Sequence, residues 1–528
     1  MSGSEAAGAA ACLLACLPAG ARWLRVAQRE HYLAGSSLRF AFRWWLRIPA
    51  NAVLAVAGVA GAGAAFRWPL AALATAAVVG AGPVGLSLRG RTSPLAWTRR
   101  LRTLAVVWIA VELVVVAAGF VAGGRWTAGV AAIAALAVPL AVDLACAVTG
   151  PVERRLSSHF VTDAAARLRR VDPVVVAITG SYGKTSTKNH VLHLVGGSRT
   201  VVATPASFNN RAGLARSVNE HLADGTEVFV AEMGTYGPGE IAELCRWCPP
   251  TVSVITAIGP VHLERFGSED RIVAAKSEII GTARDIVLQV DDPRLAALAG
   301  RLAAAGRHVV RCSTSDPAAD VCVAVAASDA PPAPGEGALR ATVSIGGTVV
   351  ADRLVVPTGV QPANLGCAIG VARSVGVEVG AIAARLADLP SVAHRLQAVP
   401  APSGATILDD TYNANPAGAE AALAALAALG GPGRRVVVTP GMVELGPRQF
   451  EENRRFGAAC AATADDLVVV GRTNRRALVA GATAGSDRPD VPRVVRVAHR
   501  ERAVGWVRSH LGPGDTVLYE NDLPDHYP

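Results

Sequence analysis

The sequence predicts an α/β protein in which two domains built on parallel sheets follow an apolar helical region. Of its 528 residues, 51% are hydrophobic and only 18% are charged, and the apolar excess lies mostly before residue 150. After about residue 165, short β-branched runs alternate with helical stretches, a pattern typical of parallel sheets covered by helices. A glycine-rich loop follows the first of these runs, as expected where a sheet binds phosphate at its carboxyl edge.

The apolar region divides into runs close to the length of a membrane helix. They cover residues 6–21, 48–65, 69–88, 103–124 and 126–149. A helix needs about 20 apolar residues to cross a bilayer. Arginines crowd two of the gaps between runs, whereas the alternate gaps hold only Arg67 and Arg125. By the positive-inside rule, five spans place the N-terminus outside and everything after Arg155 in the cytoplasm. We therefore expect a multi-pass protein of the plasma membrane, with residues 1–155 as its transmembrane region.

Charged residues in this region indicate membrane topology rather than nucleic-acid binding. The net charge of +9 comes mostly from the arginine-rich gaps, so we expect the membrane as a partner and no nucleic acid. Glu112 and Asp143 lie inside predicted spans, where acids are either functional or paired with a neighbouring helix. The alternative for the whole region is a buried, all-apolar helical domain.

Two α/β domains are predicted after residue 155. The first, residues 156–393, contains strand-like runs such as "VVVAI" and "EVFVAEM". A Pro/Gly-rich break near residues 328–338 precedes two alternating runs joined by Gly346-Gly347, which predict a hairpin added to the sheet. The second domain, residues 394–528, resumes the alternation with "ATILDD", "RRVVVTP", "DLVVVG", "RVVRV" and "DTVLYE".

The loop "AITGSYGKTSTK" has the composition of a phosphate-binding loop. It departs from the full Walker A spacing, because Ile178 stands where the first glycine belongs. The physical argument still holds, since backbone N–H groups and a helix N-terminus attract phosphate. Lys184 can bridge the terminal phosphates and Thr185 can ligate magnesium. The loop therefore predicts that the protein binds a phosphate group together with Mg²⁺, but it does not by itself define the reaction.

Further stretches follow this loop in a fixed order. Glu232 ends the strand in "FVAEMG", His262 follows the next strand in "ITAIGPVHLERFGS", and Lys276 lies in "AAKSEII". "TPASFNN", "HRLQ" and "LDDTYNANP" complete the set. Together these stretches, over about residues 170–525, resemble the Mur ligase family of ATP-dependent enzymes, and especially its members that add D-alanyl-D-alanine. The resemblance implies a central P-loop domain and a Rossmann-like C-terminal domain after the transmembrane region.

The resemblance also implies roles for individual residues. Lys184 and Thr185 would hold the β- and γ-phosphates and a first magnesium ion, which Glu232 would ligate. His262 would ligate a second ion. Lys276 matches a lysine that is carbamylated in several family members and then faces the metal; the alternative is an ordinary helix lysine. The rest of the loop would also contact the nucleotide: Thr179, Gly180, Ser181, Gly183 and Ser186.

Three residues would complete the nucleotide site. Asn364 in "QPANLG" matches an asparagine that contacts adenine. Arg395 and Asp410, both in the C-terminal domain, match residues that hold the γ-phosphate and the ribose. Lys184, Glu232, His262, Lys276 and Arg395 would be the catalytic set. Because the site is shared between two domains, it is complete only when they close.

The implied reaction is ATP-dependent amide formation. ATP converts a carboxylate to an acyl phosphate, which the amine of an amino acid or dipeptide then attacks. The carboxylate could belong to a UDP-muramyl peptide or to a lipid-linked acceptor. Three departures leave the substrate open. Apolar runs replace the family's UDP-sugar-binding domain, the family's "GDM" stretch reads "TPGMVELG", and "SFNNRAGLA" replaces the family's usual residues near the nucleotide-sugar site. The alternatives are a poly-γ-glutamate-synthetase-like or other specialised amino-acid ligase and, from another class, an ATP-driven membrane transporter.

Overall fold

The computed structural model divides into a helical unit and a ligase unit. The helical unit comprises residues 1–158 and 523–528, and the ligase unit comprises residues 159–522. The structure describes the whole chain except residues 1, 89, 91–93, 206–207, 326–338, 358, 391–395, 412–414, 430–432, 485–491, 525 and 528. The predicted break at residues 328–338 and the predicted domain boundary near residue 393 both fall outside the described residues.

The helical unit is built from small residues that let helices approach closely. Its helices are α1 (Gly3–Arg29), α2 (Ser36–Arg47), α3 (Pro49–Ala65), α4 (Ala72–Ala81), α5 (Arg99–Ala122), α6 (Arg125–Leu136) and α7 (Val138–Leu156). A 3-10 turn, Pro69–Ala71, precedes α4. A Cβ at Gly20 would overlap the Trp108 ring, so α1 and α5 meet where one has no side chain. This kind of contact is common between apolar helices.

Among the described residues, the helices long and apolar enough to cross a bilayer are fewer than the five or so that the sequence predicts. Two helices, α1 and α5, are long and apolar enough to cross a bilayer, and the number rises to four if each of two bent pairs is one span. The run at 69–88 forms only the 3-10 turn and the ten-residue helix α4. Ten helical residues cover about 15 Å, half of a typical hydrocarbon core.

The two acids that lie inside predicted spans, Asp143 and Glu112, have partners inside the helical unit. The Asp143 carboxylate accepts hydrogen bonds from the backbone amides of Ser37 and Leu38, at 3.1 and 2.8 Å. It therefore satisfies free N–H groups at the start of α2. The indole of Trp108 donates to Glu112 at 3.3 Å. The contacts favour pairing with neighbouring groups over the functional alternative that the sequence left open.

The last residues of the chain belong to the helical unit, although the sequence assigned them to the C-terminal domain. Trp44 Nε1 donates to the carbonyl oxygen of His526 at 2.8 Å. His526 Nε2 lies 3.0 Å from Glu30 Oε1, and both side chains are buried. The Phe40 ring packs edge-on against the rings of His526 and Tyr527. The ligase unit is thus inserted between two segments of the helical unit.

The first half of the ligase unit follows helix α8 (Ser158–Val171) and contains a nine-stranded sheet. Its strands are β1 (Val174–Thr179), β2 (Val201–Ala203), β3 (Val228–Glu232), β4 (Val252–Ile255), β5 (Asp285–Gln289), β6 (His308–Ser313), β7 (Val321–Val325), β8 (Leu339–Ile345) and β9 (Thr348–Val356). Its helices are α9 (Lys184–Val195), α10 (Arg211–His221), α11 (Glu240–Trp247), α12 (Leu263–Phe266), α13 (Glu269–Ser277), α14 (Pro293–Ala304), α15 (Pro362–Ser374) and α16 (Val379–Leu386).

This sheet has the order β2-β3-β1-β4-β5-β6-β7-β8-β9. Pairing is parallel up to β7 and antiparallel from β7 through β9. The predicted hairpin is confirmed: β8 and β9 pair across Gly346 and Gly347, whose φ angles of 56° and 78° suit glycine.

A six-stranded sheet forms the second half of the ligase unit. Its strands are β10 (Gln397–Pro400), β11 (Thr406–Asp410), β12 (Arg435–Thr439), β13 (Asp466–Val470), β14 (Arg493–Val497) and β15 (Thr516–Glu520), in the order β10-β11-β15-β12-β13-β14. Among the strands that the structure describes in this sheet, only β10 pairs antiparallel. Its helices are α17 (Pro416–Leu429), α18 (Gln449–Thr463), α19 (Arg475–Ala484) and α20 (Arg500–His510), with a 3-10 turn at Gly446–Arg448. The predicted α/β class is confirmed for both sheets.

Strand register brings the predicted site residues to one edge of the first sheet. β1 lies between β3 and β4, with Ile178 opposite Glu232 and Thr179 opposite Ile255. All three strands are parallel, so the segments that follow them leave the sheet side by side. Ligands of such sheets bind outside the carboxyl ends of the strands.

Candidate active site

The glycine-rich loop between β1 and α9 is held in shape by close contacts. Gly183 has a φ of 84°, in the left-handed region that side chains disfavour. A Cβ at Gly183 would also overlap the amide of Asn364 at the start of α15. The hydroxyl of Thr256 donates to the carbonyl of Tyr182 at 2.5 Å. These contacts leave the loop little room to adopt another backbone conformation.

Lys184 folds back over this loop. Its ammonium donates to the carbonyl of Gly180 at 2.9 Å, which holds the positive charge above the backbone that a phosphate would approach. Ser181 bonds to residues outside the loop. Its N–H donates to Ala257 O at 2.8 Å, and its hydroxyl bonds the carbonyl and the amide of Gly259. In this structure Ser181 therefore ties the loop to the segment after β4.

Glu232 is the centre of a buried polar cluster. Thr185 Oγ1 donates to it at 2.9 Å and Asn209 Nδ2 donates at 3.2 Å. The ammonium of Lys188 lies 3.1 Å from the same carboxylate and donates to the carbonyl of Thr204 at 2.9 Å. A buried carboxylate needs such partners, because an unpaired charge in the interior is very costly.

The cluster fits a magnesium ion held partly by a nucleotide. The Thr185 hydroxyl and the Glu232 carboxylate supply hard oxygen atoms close together, and Mg²⁺ commonly takes one or two protein oxygens along with phosphates and water. Among the described residues, no group of three or more His, Cys, Asp or Glu side chains could hold an ion by itself. The donor set therefore suits magnesium bound together with ATP rather than a metal cage made only of protein.

Lys276 lies on α13 and is buried, with 4% of its surface exposed. Burial, and then the positive charge of Lys184, lower the pKa of Lys276 well below its ordinary value. Both effects favour the neutral amine, the form that reacts with carbon dioxide to give a carbamate. This environment agrees with the carbamylated alternative, which stays a prediction.

His262 lies where the two halves of the ligase unit meet. It has a φ of 61° and precedes the short helix α12. Its Nδ1 contacts the carboxylate of Glu444, from the segment that follows β12. Arg265 Nη2 donates to the same carboxylate at 3.4 Å, and the Tyr236 ring lies edge-on to the imidazole with 5.1 Å between ring centroids.

The remaining predicted residues are only partly tested by their positions. Asn364 is buried against the glycine-rich loop. Asp410 is buried at the end of β11, where its carbonyl accepts a hydrogen bond from the amide of Asn521 at 3.1 Å. Arg395 lies outside the described residues. The assignments to adenine, ribose and γ-phosphate stay predictions.

Three polar residues of the site were missed in the sequence. Lys188 follows Lys184 by four residues, so the two share a helix face. Asn209 lies in "TPASFNN", a stretch in which the sequence predicts no role for this asparagine. Glu444 lies in "TPGMVELG", which lacks the acid of the family's "GDM" stretch. Helical spacing could have indicated Lys188, whereas the partners of the other two depend on long-range folding.

Comparison with known proteins supplies independent observations. Residues 178–331 match the Mur ligase middle domain, and residues 394–519 match the family described as Mur ligase, glutamate ligase domain. The chain is 34% identical over 380 residues to the UDP-N-acetylmuramoyl-tripeptide–D-alanyl-D-alanine ligase of Mycobacterium tuberculosis, covering 68% of this chain and 72% of that protein. It is 28% identical over 360 residues to the Bacillus subtilis ligase of the same name, covering 68% and 75%.

A solved structure is similar to this chain over about two thirds of its length. The MurF ligase from Thermotoga maritima in complex with ADP is 27% identical and superposes with a TM-score of 0.58, over 69% of this chain and 80% of that one. The resemblance inferred from the sequence motifs is thereby confirmed. The chain belongs to the Mur ligase family of ATP-dependent ligases.

Proposed function

We propose that this protein forms an amide bond between a carboxylate and the amine of an amino acid or dipeptide, with ATP converted to ADP. The observation that carries the proposal is the cluster of Lys184, Thr185 and Glu232 at the carboxyl edge of the first sheet. A cation, a hydroxyl and a carboxylate at the start of a helix are the groups that phosphoryl transfer requires.

The cluster supports a division of roles. Lys184 would release the carbonyl of Gly180 and offset charge on the phosphoryl group as it moves to the substrate carboxylate. Thr185 and Glu232 would hold magnesium, which supplies further positive charge at the phosphates. Lys188 and Asn209 keep Glu232 oriented toward Thr185. Because Glu232 is already in place, it need not reorganise during the reaction, and this lowers the cost of reaching the transition state.

We propose a muramyl peptide as the carboxylate substrate and D-alanyl-D-alanine as the amine. The names of the relatives in M. tuberculosis and B. subtilis support this choice. The muramyl peptide could be attached to UDP or to a membrane lipid, since the same carboxylate and amine react in both cases.

The test is product formation by the full-length protein in detergent or nanodiscs. We expect ADP release only when ATP, UDP-N-acetylmuramoyl-tripeptide and D-alanyl-D-alanine are all present, with a product mass equal to the two substrates joined less one water. Reactions without the dipeptide, and reactions with Lys184→Ala, serve as controls. ATP turnover that is independent of any amine would contradict the proposal and favour the transporter alternative.

We further propose that the helical unit anchors the ligase to the cytoplasmic face of the plasma membrane. Apolar side chains on its surface support this, since Val53, Val56 and Val59 on α3 are 62–71% exposed and Val121 on α5 is 89% exposed. Large exposed apolar faces mark contact with other molecules or with lipid.

Protease digestion of intact cells tests this anchoring. We expect a C-terminal reporter to be protected and tags inserted near Arg67 and Arg125 to be cleaved, as the uneven distribution of arginine predicts. Cleavage of the ligase unit from outside would reverse the proposed topology. Recovery of the untreated protein in the soluble fraction would contradict membrane anchoring itself.

A further inference from the structure

Two segments from different sheets of the ligase unit face each other around His262. One is the 260–269 segment after β4, and the other is the 440–448 segment after β12. The amide of Glu264 donates to the carbonyl of Glu444 at 3.3 Å. Arg448 donates to Glu269 at 2.6 Å. Side-chain and backbone contacts therefore join the two halves of the ligase unit at this place.

The contact between His262 and Glu444 is unusual in its backbone geometry. His262 has a φ of 61° and Glu444 a φ of 64°, both in the left-handed region that residues with a Cβ rarely adopt. Such conformations persist only where the surroundings impose them, and they cluster at functional sites. Here two facing residues share this feature and point at one another.

The geometry also assigns a direction to each nitrogen of the imidazole. Nδ1 contacts the Glu444 carboxylate, so the neutral ring carries its hydrogen there and presents a lone pair at Nε2. The Glu444 charge is balanced by Arg265, which donates to it at 3.4 Å. Arg265 in turn lies over the Tyr236 ring, 4.8 Å from its centroid, and this ring packs on the imidazole. The imidazole is thus held on two sides.

We propose that Glu444 is a positioning residue, a carboxylate from the C-terminal domain that fixes the tautomer and orientation of His262 so that Nε2 can ligate magnesium. Histidines that bind metals commonly donate their other N–H to a carboxylate, which orients the ring and raises its basicity. Here the carboxylate comes from a different domain, so the ligand is complete only when the domains meet. The inference rests on the proposed ATP-dependent reaction.

A matched pair in the same two segments separates positioning from simple docking. Arg448 and Glu269 also join the two halves, but neither contacts His262 in the described contacts. If Glu444 acts only by holding the domains together, Arg448→Ala should weaken metal binding as much as Glu444→Ala does. If it acts through the imidazole, removal of Glu444 should weaken metal binding and Arg448→Ala should not.

The experiment measures Mn²⁺ affinity by electron paramagnetic resonance, using full-length protein with saturating ADP and no turnover. We expect Glu444→Ala to weaken Mn²⁺ binding about 10- to 100-fold, the usual effect of losing a carboxylate behind a metal-binding histidine. Arg448→Ala should stay near wild type. In a His262→Ala background, Glu444→Ala should have no further effect. Glu444→Gln, which keeps the side-chain volume, should also weaken binding, and it decides the matter if the alanine variant does not fold.

Several results would overturn the proposal. Equal losses in Glu444→Ala and Arg448→Ala would show a docking contact only, and additive losses in the His262→Ala background would show that Glu444 acts elsewhere. Wild-type Mn²⁺ affinity in Glu444→Gln would show that metal binding does not require the Glu444 charge. Failure of the proposed reaction is visible separately, because the wild type would then make no amide although its Mn²⁺ affinity still depended on Glu444.

Discussion

The ammonium of Lys188 lies 3.1 Å from the carboxylate of Glu232, and each side chain is at most 3% exposed. Removing one member of such a pair leaves the other buried without its counter-charge. We expect Lys188→Met to lower the free energy of unfolding by about 3–5 kcal/mol, measured by urea unfolding of a fragment of residues 159–522. Arg216→Ala is the matched control, because Arg216 and Glu220 form an exposed pair worth about 0.5 kcal/mol or less. Equal losses in both variants would contradict the buried-pair argument.

Lys184 should matter for chemistry rather than for folding. Its ammonium donates to the Gly180 carbonyl at 2.9 Å, so it lies over the glycine-rich loop rather than in a hydrophobic core. Lys184→Ala should reduce amide formation by several orders of magnitude, as for charged groups in phosphoryl transfer. Circular dichroism and the melting temperature should stay close to wild type. Turnover near the wild-type rate would reject the assignment of this loop to ATP.

Lys276 should make activity depend on carbon dioxide. Burial and the nearby Lys184 lower the pKa of Lys276, so more neutral amine is present near pH 7 than for an exposed lysine. The neutral fraction falls as the pH drops through this lowered pKa, so carbamate formation should be lost on the acid side. We expect protein prepared without carbon dioxide to lose activity and bicarbonate to restore it. Activity indifferent to bicarbonate, and unchanged in Lys276→Ala, would show an ordinary helix lysine.

The ligase unit should retain its chemistry when it is separated from the helical unit. All assigned residues from Thr179 to Asp410 lie within residues 159–522, which form a compact unit. A fragment of this range should be soluble and form amide on soluble substrates at the full-length rate. With an acceptor in liposomes, the full-length protein should be faster, because tethering can raise the effective concentration about 100-fold or more. Equal rates on the liposome acceptor would reject a tethering role.

The sequence predicted the local features of this protein better than its long-range contacts. Runs of β-branched residues predicted the strands around the glycine-rich loop, and Gly346-Gly347 predicted the hairpin, because both signals lie in neighbouring residues. The contact between Glu444 and His262 depends instead on how the second sheet packs against the first, and no spacing along the chain indicates it.

The helical unit shows a different limit. Counting apolar residues from 69 to 88 suggests a full span, but composition does not indicate that Pro69 starts a 3-10 turn and that the helix ends at Ala81. The sequence also does not indicate that His526 packs in the helical unit. A short polar stretch after the last strand has no periodic pattern, so its packing against Phe40 and Trp44 could not be predicted from the sequence.

The return of the chain to the helical unit has a consequence for biosynthesis. His526 packs against Phe40 and Glu30, so α1 and α2 complete their packing with a residue that the ribosome adds 482 positions after Trp44. The ligase unit must be synthesised before Trp44 can donate to the His526 carbonyl. Chains truncated before His526 would therefore leave α1 and α2 with an unfilled position and expose the product to quality-control proteolysis.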